Sequence, residues 1–102
     1  MKKIINGKLY NTETAEKLAE FYTNCTASDF RYLEESLYRK RTGEYFLYGF
    51  GGPMTRYAIK LENGGSRSGY AIHPLTEEEA HEWAENRITA DQYIAIFGDV
   101  EE

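Results

Sequence analysis

The fold is decided in residues 30–53, which read FRYLEESLYRKRTGEYFLYGFGGP. On both sides of Arg41-Thr42-Gly43 the chain is rich in aromatic and other apolar residues, which is typical of two long antiparallel strands joined by a tight turn. Gly43 is expected in the left-handed conformation, and pairing of Lys40 with Glu44 then sets the register. The register predicts four cross-strand pairs: Tyr38 with Phe46, Ser36 with Tyr48, Leu37 with Leu47, and Arg39 with Tyr45.

The segments before this hairpin predict a second hairpin and a helix. Asn6-Gly7 lies between two short apolar runs, which is the strongest short-range hairpin signal. Residues 11–24, NTETAEKLAEFYTN, then place apolar side chains at the i, i+3, i+4 and i+7 spacing of a helix, with Asn11 or Thr12 as its cap. The apolar stripe comprises Ala15, Leu18, Ala19 and Tyr22. The pattern therefore predicts an N-terminal helix.

The segments after the hairpin predict a loop, a strand and two helices. Gly49 to Pro53 should end the second strand, residues 54–69 show no clear pattern, and Tyr70 to Ile72 read as a further strand. Two capping boxes follow, Thr76 with Glu79 and Thr89 with Gln92, and Gly98 is placed to end the last helix. We expect one α+β domain over residues 1–102, an antiparallel sheet built on the central hairpin and packed by one N-terminal and two C-terminal helices.

Composition and charge narrow the class of protein. The 102 residues carry a formal net charge of −5, with 41% hydrophobic and 15% aromatic residues, nine of them tyrosine. Residues 31–73 have seven Lys and Arg against four acids, whereas residues 74–102 have one Arg against nine acids. An acidic total disfavours a general nucleic-acid binder. We found no signal peptide and no apolar run of membrane-spanning length, so a cytoplasmic protein without membrane contact is expected.

No pattern predicts catalytic residues, a metal site or a cofactor. The glycines of 49–52 lack the spacing of a P-loop or of a dinucleotide fold, which favours a structural bend. His81 lies four residues from both Glu77 and Glu85, a zinc-compatible spacing, but no third ligand is visible and HEWAE is not HExxH. Cys25 lacks a surrounding catalytic signature. The chain is expected not to be an enzyme.

Two surfaces are candidate binding sites. On the predicted hairpin, cations could meet phosphates while tyrosines stack on bases, or the same residues could contact a protein. The residues of this candidate are Arg39, Lys40, Arg41, Tyr45, Tyr48 and Arg56. On the C-terminal helices, acidic side chains could mimic a phosphate ladder and dock on a basic protein groove. The residues of this candidate are Glu77, Glu78, Glu82, Glu85 and Asp91.

A resemblance adds a function class. LYRKRTGEYFLYGFGGPMTRYA (37–58) followed by IHPLTEEEAHEWAENRITADQYIAIFG (72–98) resembles a family of small proteins of bacterial mobile genetic elements, and is similar to anti-CRISPR and other anti-defence proteins. The resemblance implies a non-enzymatic inhibitor that binds a host defence protein, such as a Cas nuclease or its guide-RNA complex. The alternative is a small nucleic-acid-binding protein that uses the basic and aromatic hairpin.

Overall fold

The computed structural model describes residues 1–26 and 28–102. Its elements are β1 (Lys2–Ile5), β2 (Lys8–Asn11), β3 (Glu16–Tyr22), β4 (Leu33–Arg39), β5 (Tyr45–Gly51), β6 (Ile59–Lys60), β7 (Ser66–Arg67), β8 (Gly69–Leu75), α1 (Glu77–Arg87) and α2 (Ala90–Phe97). A four-stranded antiparallel sheet has the order β3-β4-β5-β8, and β1-β2 and β6-β7 form separate two-stranded hairpins. None of the helices in the described ranges is both long and apolar enough to cross a membrane.

The central hairpin confirms the predicted register. β4 and β5 pair Tyr38 with Phe46 and Leu37 with Leu47, and the other two predicted pairs are also present. Gly43 has φ +91°, and its amide donates to the Lys40 carbonyl across the turn (2.9 Å). The paired strands therefore present two distinct faces, since successive side chains of a strand point to opposite sides of the sheet.

The inner face, which carries Leu37 and Leu47, is covered by α1 and α2. Ala80, Trp83 and Ala84 of α1 are buried against these two leucines, with Tyr93 and Phe97 of α2 packed at the margin. The two predicted capping boxes are present and begin the helices, and Gly98 at φ +94° ends α2. Burying this apolar stripe holds both short helices in place, because helices of this length are marginal alone.

The outer face, which carries Tyr38 and Phe46, is only partly covered. The predicted Asn6-Gly7 hairpin is confirmed as β1-β2, and its Tyr10 packs edge-on against Phe46 at a centroid distance of 5.5 Å. Phe46 stacks on Tyr38 at 5.2 Å, and Ile72 completes this buried cluster. The hairpin covers the end of the sheet where β4 turns into β5, and it leaves the other end of the outer face open.

The predicted N-terminal helix is wrong. In residues 1–26, all of which the structure describes, the chain forms strands only, and the segment predicted as a helix contains β3. Asn11 belongs to β2, and Thr12 donates its hydroxyl to the Met1 carbonyl, so neither residue caps a helix. The architecture is a sheet-rich α+β fold with two short C-terminal helices and several antiparallel sheets.

A β-bulge explains how a helix-like stripe forms a strand. In the pairing with β4, Lys17 faces Tyr38 and Ala19 faces Leu37, so Leu18 is an extra residue. The bulge lets Leu18 and Ala19 both pack against the inner cluster, while Ala15 joins the outer cluster. The four apolar residues are thus divided between the two faces of the sheet, because pairing with β4 outweighs a weak local helix preference.

The glycines at the end of the central hairpin have a second role that the sequence did not predict. As predicted, the second strand ends here: β5 runs to Gly51, while Gly49 lies inside it, and the two glycines pair with Leu33 and Glu35 respectively. Their φ angles are not in the left-handed region. A Cβ at Gly49 would overlap the ring of Tyr57, and a Cβ at Gly51 would overlap Thr55. These glycines are therefore needed for space, which lets residues 53–58 lie directly on the inner face beside α1.

Candidate partner-binding face

The open end of the outer face presents two rows of side chains across the sheet. The register of the four strands places Tyr22, Glu34, Phe50 and Tyr70 in one row, and Glu20, Ser36, Tyr48 and Ile72 in the next. Neighbouring strands lie about 4.8 Å apart, so adjacent side chains within a row are in reach of one another. We call this surface, with the adjoining Tyr32, the aromatic cleft.

The aromatic side chains of the cleft contact each other and remain accessible. Phe50 and Tyr70 have centroids 4.6 Å apart, and Tyr48 and Tyr70 lie nearly parallel, with an angle of 15° and a centroid distance of 6.1 Å. Tyr22 and Tyr70 are each 56% exposed, although both are large and partly apolar. Aromatic residues with one wet end are enriched at protein interfaces.

Two carboxylates lie among these rings. Glu20 accepts a hydrogen bond from the Tyr22 hydroxyl (2.5 Å) and forms an ion pair with Lys17. Glu34 is half-buried and accepts from the Tyr32 hydroxyl (2.8 Å). Within the described ranges, no cationic side chain lies within ion-pair distance of Glu34. The cleft therefore combines aromatic faces with a partly desolvated negative charge that lacks a counter-ion in the described chain.

The cleft is concave and small. Its volume is about 200 Å³, and its floor is formed by β4 and β5 with Tyr22 and Tyr70 on opposite sides. Small-molecule and cofactor sites usually measure about 300–1,000 Å³. The volume is thus suited to one side chain of a partner rather than to a cofactor.

An apolar projection lies at the same end of the molecule. Phe30, before β4, is 63% exposed, and Met54, after β5, is 68% exposed. The Met54 amide donates to the Phe30 carbonyl (2.9 Å), which ties the two loops together. Large apolar side chains exposed next to each other enlarge the surface that a partner could bury.

A buried polar network braces the sheet beneath the cleft. Glu35, 3% exposed, is the buried acidic residue of the inner face, and its two oxygens accept from the Tyr57 hydroxyl (2.6 Å) and from Trp83 Nε1 (3.0 Å). Arg56 Nη1 lies 3.9 Å from the same carboxylate. Burial and the hydrogen bond to Glu35 raise the pKa of the Tyr57 hydroxyl, so it remains a donor at neutral pH. The network ties the loop of residues 53–58, α1 and β4 to one another.

His73 packs beside this network without a hydrogen bond of its own. Its ring centroid is 5.0 Å from that of Tyr57, and its buried Nε2 has no partner among the described residues. Burial, and then the nearby Arg56, lower the pKa of His73 below its ordinary 6.5, although Glu35 acts in the opposite direction. The imidazole is therefore neutral in the fold at neutral pH.

The lowered pKa of His73 predicts a pH dependence of stability. Between pH 7 and about 5.5, the unfolded chain takes up a proton that the folded chain does not, so the free energy of unfolding should fall as the pH falls below 6.5. Urea unfolding at the two pH values measures this loss, and His73→Gln should reduce it. His81→Gln is the matched control, since the sequence has two histidines, His73 and His81. An unchanged pH dependence in His73→Gln would contradict the prediction.

The structure does not bring the predicted hairpin residues together as one open surface. Arg39 donates to Glu16 (3.1 Å), and Lys40, only 13% exposed, lies over the Tyr10 ring and near Glu44 (3.4 Å). Hydrogen bonds from Lys8, Lys40 and Thr42 lower the pKa of Glu44 to about 2, although the partial desolvation of its carboxylate opposes them. The Glu44 carboxylate is therefore charged and compensates Lys8 and Lys40. Arg41 is exposed at the tip.

The remaining hairpin candidates are divided between the two faces. Tyr45 packs on the inner face against Phe97 at 5.9 Å, and Arg56 lies by Glu35 on the same face. Tyr48 lies on the outer face within the aromatic cleft. A surface on which Tyr45 and Tyr48 stack successive bases together is thus not formed.

The predicted acidic residues lie on the exposed surface of the helices. Glu77, Glu78, Glu82 and Glu85 are exposed on α1, and Asp91 is exposed in the first turn of α2. Glu77 approaches His81 Nε2 at 3.8 Å. Glu77 and Glu78 also lie in the first turn of α1, where negative charge stabilises a helix. A contact of these residues with a partner stays a prediction.

The cleft was missed because its residues come from four different strands. Tyr22 lay in the segment predicted as a helix, and of the residues lining the cleft only Tyr48 was among the predicted site residues. The available signal was the i, i+2 spacing of Tyr32, Glu34 and Ser36, which places these three residues on one face of the predicted strand. In the part of the chain that the structure describes, no group of three or more His, Cys, Asp or Glu side chains could hold a metal ion.

Comparisons of this chain with protein-family models, with curated proteins and with solved structures give no match.

Proposed function

We propose that this chain is a non-enzymatic binding protein that docks its aromatic cleft on a basic surface of another protein. The observation that carries the proposal is the open half of the outer face, where aromatic rings lie beside Glu34, and the cation that lines the cleft, Lys17, is paired with Glu20 instead. Tyrosines on a sheet lose little conformational freedom when a partner covers them, so they are efficient anchors.

The aromatic cleft and the adjoining apolar projection together are rich in the aromatic and apolar side chains that form the centre of protein interfaces. Tyr22 and Tyr70 supply apolar area that water covers in the free protein, and Phe30 with Met54 extend this area at the end of the sheet. A specific interface buries about 800 Å² on each partner. The cleft alone is too small for this, so the apolar projection would belong to the same contact.

The partner class follows from charge and from the resemblance to anti-defence proteins. Glu34, which has no ion-pair partner among the described residues, and the net charge of −5 favour a basic partner, and the channel that holds nucleic acid in a Cas effector is positively charged. We therefore propose inhibition of a host Cas effector by occupation of such a channel. Direct binding of nucleic acid is less well supported, because Arg39 and Lys40 are engaged within the chain.

A comparison of two surface variants tests the proposal. Tyr22→Ser/Tyr70→Ser should bind a co-expressed Cas effector at least about thirtyfold more weakly than the unmodified chain, because interface anchors commonly contribute 2 kcal/mol or more. Both residues are more than half exposed, so the fold should be retained. Pull-down and inhibition of DNA cleavage are the two measurements.

Glu82→Gln/Glu85→Gln on α1 is the matched control, because it changes exposed residues far from the cleft. Retained binding in this control, with loss in the tyrosine variant, would support docking through the cleft. Loss only in the control would place the contact on the acidic helices instead. Failure to bind any effector in a panel of CRISPR types would contradict the proposed class of partner.

A further inference from the structure

Resting on the proposed function, we propose that the aromatic cleft binds one arginine side chain of the partner. The guanidinium would contact the Glu34 carboxylate and lie against the rings of Tyr48 and Tyr70. This proposal specifies the chemical group that the cleft recognises, which the proposed function leaves open.

Glu34 supplies the first argument. Its Oε2 accepts from the Tyr32 hydroxyl, while its Oε1 has no hydrogen-bond partner among the described residues. Its neighbours across the sheet are Tyr22 and Phe50, whose rings limit its contact with water. A partly desolvated carboxylate favours a cation that also donates hydrogen bonds, since such charge-assisted bonds are the strong ones.

The rings supply the second argument. Tyr48 and Tyr70 are nearly parallel, and both line the cleft together with Glu34 and with Phe50, which lies between Glu34 and Tyr70 in the row. A guanidinium is planar and weakly hydrated, so it stacks on a ring face while its N–H groups reach a carboxylate. A lysine ammonium is compact and strongly hydrated, so it would interact with the Glu34 carboxylate through its charge alone.

The volume supplies the third argument. The cleft measures about 200 Å³ and is open to solvent on one side, so it admits a single long side chain but no folded element. Ser36 forms the floor between Glu20 and Tyr48, and its small side chain leaves the depth that an inserted side chain requires.

The test uses short probe peptides and requires no partner protein. An end-blocked Gly-Gly-Arg-Gly-Gly peptide is titrated into the full chain, and amide chemical shifts are followed by NMR. Lysine and citrulline versions are the controls for charge alone and for shape alone. We expect the arginine peptide to shift the amides of residues 20–22, 34–36, 48–50 and 70, and to bind more tightly than both controls.

Two variants locate the site. Glu34→Gln should weaken the arginine peptide about tenfold, and Tyr70→Ala should weaken it while leaving the carboxylate in place. Glu13→Gln, at an exposed acidic residue of the turn before β3, should bind as the unmodified chain does. The spectrum of each variant shows directly whether it is folded.

The proposal is overturned if the lysine peptide binds as tightly as the arginine peptide, or if the outer-face amides do not shift. It is also overturned if both cleft variants bind unchanged. No effector is present in this experiment, so such a result would not contradict docking on a Cas effector. The pull-down described above tests that proposal separately. Conversely, arginine binding without any effector complex would contradict only the proposed class of partner.

Discussion

Replacing Gly49 with alanine is expected to lower the free energy of unfolding by about 3 kcal/mol. The added methyl would overlap the Tyr57 ring, which packs against His73 and donates its hydroxyl to Glu35. The ring cannot move aside easily, because the backbone of Tyr57 is closely packed as well. Its carbonyl oxygen lies so near Gly69 that a Cβ added at Gly69 would be only 2.5 Å from it. Urea unfolding followed by circular dichroism measures the loss.

A double-mutant cycle shows whether the ring is the cause. In a Tyr57→Ala background the overlap is gone, so Gly49→Ala should cost less than about 1 kcal/mol. Gly65→Ala is a control glycine in a loop, where the nearest atom to an added Cβ is the side-chain oxygen of Asn63 at 3.2 Å. An equal cost of Gly49→Ala in both backgrounds would refute the space argument.

Replacing Glu35 with alanine is expected to lower the free energy of unfolding by about 4 kcal/mol, since it leaves two buried donors without an acceptor. The donors are the Tyr57 hydroxyl and Trp83 Nε1, at 2.6 and 3.0 Å from the carboxylate oxygens. Glu35→Gln retains one carbonyl oxygen and should lose about half as much. Unfolding curves followed by Trp83 fluorescence report the change.

The adjacent Glu34→Ala is the matched control for Glu35→Ala. Glu34 faces the open side of the sheet and bonds only the Tyr32 hydroxyl, so its removal should cost less than about 1 kcal/mol. Tyr57→Phe in the Glu35→Ala background removes one stranded donor and should recover part of the loss. If the two neighbouring glutamates are equally costly to remove, the buried network is not a main source of stability.

Local chemistry made part of the fold predictable from the sequence. The central hairpin, its register and the two helix starts depend on residues close together in the chain, such as Gly43 in its turn and Thr76 with Glu79 in its capping box. These elements are confirmed. The role of β3 depends on pairing with a strand that begins more than ten residues later, and its apolar spacing fits a helix equally well. The prediction there was wrong.

The candidate site was less predictable than the fold for the same reason. Its row of Tyr22, Glu34, Phe50 and Tyr70 exists only once four strands are in register. Tyr48 was predicted as a contact residue, but as a partner of Tyr45, which the alternation of β5 places on the opposite face. The space requirement of Gly49 could not be inferred either, because it depends on a loop whose path the sequence left open.

The bulge at Leu18 has a consequence for self-association. β3 and β8 are the edges of the four-stranded sheet, and a sheet with exposed aromatic rings next to an open edge is prone to pair with other copies of itself. The bulge increases the local twist of β3, and Glu16, Lys17 and Glu20 place charges along this edge. The bulge that gives β3 the apolar spacing of a helix thus also makes this edge strand a poor template for aggregation. The chain can therefore keep its aromatic cleft uncovered.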